Sequence, residues 1–146
     1  MKIYLDMCCL QRSFDTKTQL RIVVEAEAIT GIITLCESGQ IDLVASDALA
    51  FETERNSHPV RKRYALEVLA KATQFVQTDR RVEERARTFR DVGIKALDAL
   101  HLASAVEAQA DYFCTCDDRL LRRARTAETL QTKVVSPLEL IAEITA

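Results

Sequence analysis

The chain has 146 residues, of which 48% are hydrophobic and 29% are charged, and it contains only 3 glycines and 2 prolines. This length predicts one domain, residues 1–146, that buries a core without disulfides or metal ions, and the composition excludes disordered, collagen-like and low-complexity proteins. The net charge of −2 argues against a generic nucleic-acid binder. Because no apolar run has the length of a membrane span, we expect a cytoplasmic protein.

Helical patterns alternate with short β-favouring segments along the chain. Strands are predicted at residues 2–5, 41–45, 75–77, 112–116 and 134–135. Helices are predicted at about residues 18–37, from the N-cap Ser46 to Asn56, at 60–71, 80–91, 96–108 and 118–127, and from Pro137 onward, with a polar loop at residues 11–16. This alternation indicates parallel βαβ units. We therefore predict a three-layer α/β/α fold with helices on both faces of a central parallel five-stranded sheet.

The charges are unevenly distributed. Between Arg55 and Lys95 there are 11 Lys and Arg against 5 Asp and Glu, whereas the rest of the chain has 9 against 17. This pattern is compatible with a basic face that meets phosphates and an acidic site elsewhere. The alternative is that helices carrying both signs of charge are simply solvated.

The five cysteines are an odd number in a chain without a secretory signal, so no disulfide framework is expected. Their spacings include a vicinal pair, Cys8 and Cys9, and a Cys-x-Cys, Cys114 and Cys116, and neither matches the usual Cys-x2-Cys of zinc sites. We interpret the cysteines as small buried residues at strand ends.

Acidic residues stand near the carboxyl ends of the predicted strands, which is where ligands bind in parallel sheets. The acids are Asp6 after the first strand, Glu52 in the helix after the second, Asp98 at the start of the helix before the fourth, and Asp117 and Asp118 after the fourth. Helix capping would account for Asp98 and Asp117, but it does not explain Asp6 at the end of an apolar strand.

A cluster of acids has a chemical consequence. Two carboxylates about 5 Å apart repel by roughly 3 kcal/mol at an effective dielectric constant of about 20, so such a cluster raises its own pKa values or recruits cations. Oxygen ligands without a histidine pair suit Mg²⁺ or Mn²⁺ rather than Zn²⁺. Because these ions polarise phosphoryl oxygens and activate water, the acids predict metal-dependent hydrolysis of phosphodiester or phosphoryl bonds.

Four segments, in this order, resemble the signature segments of PIN-domain ribonucleases: IYLDMCCLQR, SDALAFETER, IKALDALHLASA and YFCTCDDRLL. The resemblance covers nearly the whole chain. Its most specific part is LDALHLASA, which contains Asp98, followed by Thr-x-Asp about 17 residues later at Thr115 and Asp117. The resemblance implies a parallel sheet with strand order 3-2-1-4-5.

The resemblance also implies a site and a function. Asp6, Glu52, Asp98 and Asp117 would be the catalytic carboxylates that hold Mg²⁺ or Mn²⁺, with Thr115 and Asp118 in support. The Thr-x-Asp match selects Asp117, so we expect Asp118 to cap the following helix. The family cleaves RNA by attack of water, which implies an endoribonuclease, and many small bacterial members are VapC-type toxins, each inhibited by an antitoxin and usually dimeric. The implied partners are thus RNA, an antitoxin and a second copy of the chain, and no membrane.

The chain departs from the family at Cys8, where Asn is common two residues after the first Asp. No carboxylate is lost, so we expect the site to be retained. Because strands one and four are neighbours in the family order, Cys8 or Cys9 would lie near Cys114 or Cys116, and we hypothesise that oxidation links these thiols and closes the site.

The basic helices then provide candidate RNA contacts. The candidates are Arg61, Lys62, Arg63, Arg80 and Arg81, with Arg122 and Arg123 as further ones. Solvated helix faces, or docking of an acidic antitoxin tail, are the alternatives. His101, one turn after Asp98, is interpreted as a packing or supporting residue.

Other functions fit less well. A phosphatase with a strand-end Asp nucleophile needs a second acid two residues after Asp6, where this chain has Cys8, and a receiver domain needs paired N-terminal acids and a late lysine. The alternative from another class is a catalytically silent PIN domain that binds RNA or protein, against which the presence of all four acids argues.

Overall fold

In the computed structural model, which describes residues 1–146, the chain forms a parallel sheet of five strands with helices on both faces. The strand order is β3-β2-β1-β4-β5, as predicted. The strands are β1 Lys2–Leu5, β2 Asp42–Ser46, β3 Gln74–Val76, β4 Tyr112–Cys114 and β5 Lys133–Val135. The helices are α1 Met7–Gln11, α2 Leu20–Glu37, α3 Asp47–Arg55, α4 Pro59–Leu69, α5 Arg80–Asp91, α6 Ala96–Glu107, α7 Asp118–Arg125 and α8 Pro137–Thr145, with a 3₁₀ turn at Arg12–Phe14.

The central strand β1 fixes where the site forms. It pairs with β2 and β4 in parallel, so that Leu5 is opposite Cys114, and the last residue of β2, Ser46, lies at the same edge opposite Val76. Ile3, Tyr4 and Leu5 are at most 1% exposed and belong to a core cluster of 35 buried residues. Burying each large apolar side chain contributes about 1.5–3 kcal/mol, so this register is strongly specified.

The prediction of a polar loop at residues 11–16 is wrong for its first part. Gln11 ends α1, and Arg12–Phe14 form a 3₁₀ turn. Helix α1 begins because the Asp6 carboxylate accepts a hydrogen bond from the Met7 N–H. The turn is held because Arg12 pairs at 2.7 Å with Glu25, an almost fully buried acid of α2.

The other boundaries agree with the predictions to within about three residues. The largest difference at the site is that β4 ends at Cys114 instead of Cys116, because the Asp117 side chain then accepts the first free N–H groups of α7. No helix of the chain combines the length and the hydropathy that a membrane span requires.

Helix α6 packs closely because its buried face is made largely of small side chains. Residues 101–106 are all buried, and they include Ala103, Ser104 and Ala105. This packing places the first turn of α6, with Asp98, at the edge of the sheet where β1 and β4 end.

Candidate functional site

Asp6 is the buried centre of the site. Its side chain is 5% exposed; Oδ1 accepts a hydrogen bond from the Met7 N–H at 2.8 Å, and Oδ2 accepts one from Thr115 Oγ1 at 3.0 Å. Cys8, the residue in the position of the family's common Asn, lies with its Sγ 3.4 Å from the same Oδ2. Burial, followed by the proximity of Cys8, raises the pKa of Asp6 to about 8. A cation beside Asp6 would favour its charged form.

Glu52 is held in place by a chain of buried hydrogen bonds. Its Oε1 lies 2.6 Å from His101 Nε2, and His101 Nδ1 lies 2.6 Å from the Tyr4 hydroxyl. That hydroxyl lies 2.6 Å from Ser46 Oγ, which accepts the Leu49 N–H at the start of α3. Because an ionised carboxylate only accepts hydrogen bonds, Nε2 of His101 carries a proton. This series of hydrogen bonds fixes the direction of the Glu52 carboxylate.

His101 also contributes to the charge balance of the site. Burial lowers the pKa of His101, but the hydrogen bond to Glu52 and the charges of Asp6, Glu52 and Asp98 raise it above its ordinary value. One ligand atom each from Asp6, Glu52 and His101 lies within 4.8 Å of the others. His101 is fully buried and touches Glu52 and Tyr4, in agreement with the interpretation of a supporting residue.

Asp98 and Asp117 line a small pocket beside this group. Asp98 is half-buried and accepts no hydrogen bond, and the N-cap position of α6 is occupied by Lys95, so capping does not explain Asp98. Burial, and then the charges of Asp6, Asp117 and Glu52 against the opposing effect of His101, raise the pKa of Asp98 to about 6. The four acids are thus close enough for their charges to interact.

Asp117 has a structural role as well. Its Oδ1 accepts the N–H groups of Arg119 and Leu120 at 2.9 and 3.1 Å, which caps α7 and leaves Oδ2 without a backbone donor. The Asp117 N–H donates to Thr115 Oγ1 at 3.1 Å. Thr115 therefore connects Asp6 and Asp117 through one buried hydroxyl.

The expectation that Asp118 caps α7 is wrong. Asp117 has the extended backbone conformation of an N-cap, and Asp118 is the first helical residue. The Asp118 carboxylate is exposed and accepts two hydrogen bonds from Arg21 of α2, at 2.7 and 2.9 Å. These bonds lower the pKa of Asp118, in contrast to Asp6 and Asp98.

Several of the predicted basic residues already have acidic partners. Arg61 pairs with Asp15, Lys62 with Glu54, and Arg80 with Glu84. Arg63 and Arg81 are exposed and form no ion pair. Their exposure keeps these two as the freest of the five predicted positions.

Basic residues that the sequence reading missed lie next to the acids. Lys95 and Arg119 line the same pocket as Asp98 and Asp117, together with Arg123, one of the further candidates. Lys95 and Arg119 could have been identified from the sequence, because each lies within three residues of Asp98 or Asp117. Gly93 leaves space for Arg123, because a Cβ there would lie 2.6 Å from Arg123 Nη1. Its φ of +94° also favours glycine at this position.

Comparison with known proteins gives one family and one fold. A family model described as PIN domain matches residues 10–126. The crystal structure of VapBC2 from Rickettsia felis bound to a DNA fragment from their promoter is similar, with a TM-score of 0.55 and 12% sequence identity, over 92% of this chain and 98% of that chain. At this identity the likeness shows the fold alone. A search of curated proteins finds no match.

Proposed function

Because the chain belongs to the PIN-domain family, we propose that it is a divalent-metal-dependent endoribonuclease that hydrolyses RNA phosphodiester bonds. The observation that carries this proposal is the convergence of Asp6, Glu52, Asp98 and Asp117 at one edge of the sheet, where their charges act on one another. Such a group of acids is typical of sites that act on phosphate esters.

The donor atoms fit Mg²⁺ or Mn²⁺. All four candidate ligands are carboxylates, and Asp98 accepts no hydrogen bond from the protein. Burial raises the pKa of Asp6 to about 8 and, together with the charges of neighbouring acids, the pKa of Asp98 to about 6, so a cation would favour the ionised forms of both. We propose that Asp6, Glu52, Asp98 and Asp117 hold the ion. When bound, the ion supplies positive charge to the phosphodiester and lowers the pKa of nearby water.

The protein's own groups prepare the site. Thr115 and the Met7 N–H fix the two oxygens of Asp6, and His101 fixes Glu52, so neither carboxylate must reorganise when substrate arrives. Asp118 supports the site from outside, since its bonds to Arg21 hold the start of α7 against α2.

Lys95, Arg119 and Arg123 give the acidic edge a basic border. We propose that they guide RNA phosphates toward the acids, with Arg63 and Arg81 as more distant contacts and Arg61, Lys62 and Arg80 available once their acidic partners are displaced. Binding of RNA should therefore weaken as salt is raised.

We propose further that the protein is the toxin of a toxin–antitoxin pair, that it acts in the cytoplasm as a homodimer, and that residues 1–146 are one domain. The fold likeness to the VapBC2 structure and the single core cluster support these proposals. Growth arrest on expression, relieved by Asp98→Asn, is the expected sign of a toxin. Sedimentation of the purified protein tests the dimer.

The test of the enzymatic proposal is cleavage of labelled RNA with Mg²⁺ or Mn²⁺. Asp98→Asn should lower the rate by at least about 100-fold, because even changes beside metal ligands cost about 10- to 100-fold. Asp111→Asn is the matched control, since Asp111 is exposed and precedes β4, at the opposite end of that strand from Asp117, and it should cleave like wild type. Equal cleavage by all three proteins would contradict the proposal, and metal-independent RNA binding without cleavage would support a catalytically silent PIN domain instead.

A further inference from the structure

Four of the five cysteines meet where the paired strands β1 and β4 end, and they form a thiol cluster: Cys8, Cys9, Cys114 and Cys116. Cys9 Sγ lies 3.6 Å from Cys116 Sγ and 3.8 Å from Cys114 Sγ. The sulfurs of Cys8, Cys9 and Cys116 all lie within 4.8 Å of one another. The cluster arises because α1 starts directly after β1 and the loop to α7 directly after β4, and these strands are paired.

The 3.6 Å between the sulfurs of Cys9 and Cys116 is close to the distance between two sulfurs on one metal ion, and Cys8 Sγ lies within 4.8 Å of both. Zn²⁺ binds cysteine sulfur at about 2.3 Å in a tetrahedral arrangement, which puts neighbouring sulfurs about 3.8 Å apart. A disulfide would use only two sulfurs and would leave the third without a role. We propose that Cys8, Cys9 and Cys116 bind one thiophilic divalent cation, with Zn²⁺ as the representative ion.

The hydrogen bond with Cys116 raises the pKa of Cys8, and burial raises the pKa of Cys9, so these thiols need a bound cation to ionise. Two neighbouring groups would assist a bound ion. The backbone N–H of Cys116 donates to Cys8 Sγ at 3.3 Å, and such bonds from neighbouring groups orient and stabilise metal ligands. Arg12 lies close enough to Cys116 for their charges to interact. On binding, each of the three S–H bonds is replaced by a sulfur–metal bond and its proton passes to solvent, which leaves a net charge of −1 on the metal–thiolate group.

Access and selectivity also fit. Cys9 and Cys116 are buried, whereas Cys8 is partly exposed and gives solvent a route to the cluster. Cys8 Sγ lies 3.4 Å from Asp6 Oδ2 and from Thr115 Oγ1, so the thiol cluster adjoins the carboxylates without sharing their oxygen atoms. Soft sulfur ligands select ions such as Zn²⁺, and hard oxygen ligands select Mg²⁺, so the two sites can be loaded separately.

The test is titration of the reduced full-length protein with Co²⁺, whose absorption reports cysteine coordination, followed by displacement with Zn²⁺. We expect one equivalent to bind with a sulfur-to-cobalt band, and at least about 10-fold weaker binding in Cys116→Ser. Cys36→Ser is the matched control, because Cys36 is a buried cysteine of α2 outside the cluster, and it should bind like wild type. Cys8→Ser, at a partly exposed position, supplies a second variant if Cys116→Ser fails to fold.

The outcomes separate this inference from the ribonuclease proposal. Asp98→Asn should keep the cobalt band even though it loses RNA cleavage. Absence of the band in reduced wild type, or equal binding by Cys8→Ser, Cys116→Ser and Cys36→Ser, would overturn the metal site. Loss of two thiols on exposure to a peroxide, without any cobalt binding, would identify a redox pair instead and would equally overturn it.

Discussion

Asp6 and Glu25 are the two buried carboxylates of the chain, with 5% and 2% exposure, and their surroundings are opposite. Glu25 accepts hydrogen bonds from Arg12 at 3.0 and 2.7 Å, and Arg21 lies 3.4 Å away. Asp6 accepts hydrogen bonds only from neutral groups, the Met7 N–H, the Thr115 hydroxyl and the Cys8 thiol, and other acids lie nearby. Glu25, a buried acid paired with cations, is part of the scaffold, whereas Asp6 is buried near other acids without a cationic hydrogen-bond partner, so a bound cation would favour its ionised form.

The largest effect on stability should come from removing the cation of the scaffold acid. Arg12→Met leaves Glu25 buried with only the more distant Arg21, and we expect the free energy of unfolding in urea to fall by about 3 kcal/mol. Arg80→Met is the control: Arg80 is 90% exposed and pairs with Glu84, and its loss should change stability by less than about 0.5 kcal/mol. Equal losses in the two variants would remove the distinction between the buried pair and a surface pair.

A smaller effect should follow when the series of hydrogen bonds that positions Glu52 is interrupted. Tyr4→Phe leaves His101 Nδ1 and Ser46 Oγ without their shared partner, so the free energy of unfolding should fall by about 1–3 kcal/mol and RNA cleavage by about 10-fold. Tyr112→Phe is the control: it removes a hydroxyl that is bonded to Glu143 and not to any of the four candidate ligands, so it should leave cleavage unchanged. If both variants cleave alike, the position of Glu52 does not depend on Tyr4.

The smallest effect is on the pH dependence of stability without divalent cations. The pKa of Asp98 is raised from 3.8 to about 6, so its protonated form stabilises the folded state. This contribution to the free energy of unfolding is complete below about pH 4 and is lost as the pH rises through about 6. Asp98→Asn should therefore gain stability relative to wild type as the pH rises from about 4 to about 7. Asp118→Asn should do the reverse, because Arg21 lowers the pKa of Asp118. A difference between Asp98→Asn and wild type that stays constant with pH would contradict the account.

The sheet and the four acids could be predicted because local patterns carry them. Apolar strands alternate with helices. Asp6 and Asp117 follow strands, Asp98 lies in the first turn of a helix, and Glu52 lies within the helix that follows β2. Helix α1 was missed because its 5 residues are too few to show a helical period, and because its continuation depends on the contact between Arg12 and Glu25, which is distant in sequence.

One feature of the site could not be read from the sequence for a related reason. The hydrogen-bond series Ser46–Tyr4–His101–Glu52 joins four elements, β2, β1, α6 and α3, whose relative rotation is set by packing. The proximity of the cysteines, by contrast, was expected from the strand order, and the pairing of β1 and β4 confirms it. That three of the sulfurs lie within reach of one ion was not predicted, because their spacing in sequence does not match the usual zinc pattern.

The central claim is that the acids around Asp6 form a divalent cation site, and calorimetric titration with Mn²⁺ tests it most directly. Wild type and Asp111→Asn should each bind Mn²⁺ at a saturable site, and Asp98→Asn should bind at least about 10-fold more weakly. Binding by Asp98→Asn as tight as that of wild type, or no binding by wild type, would contradict the claim.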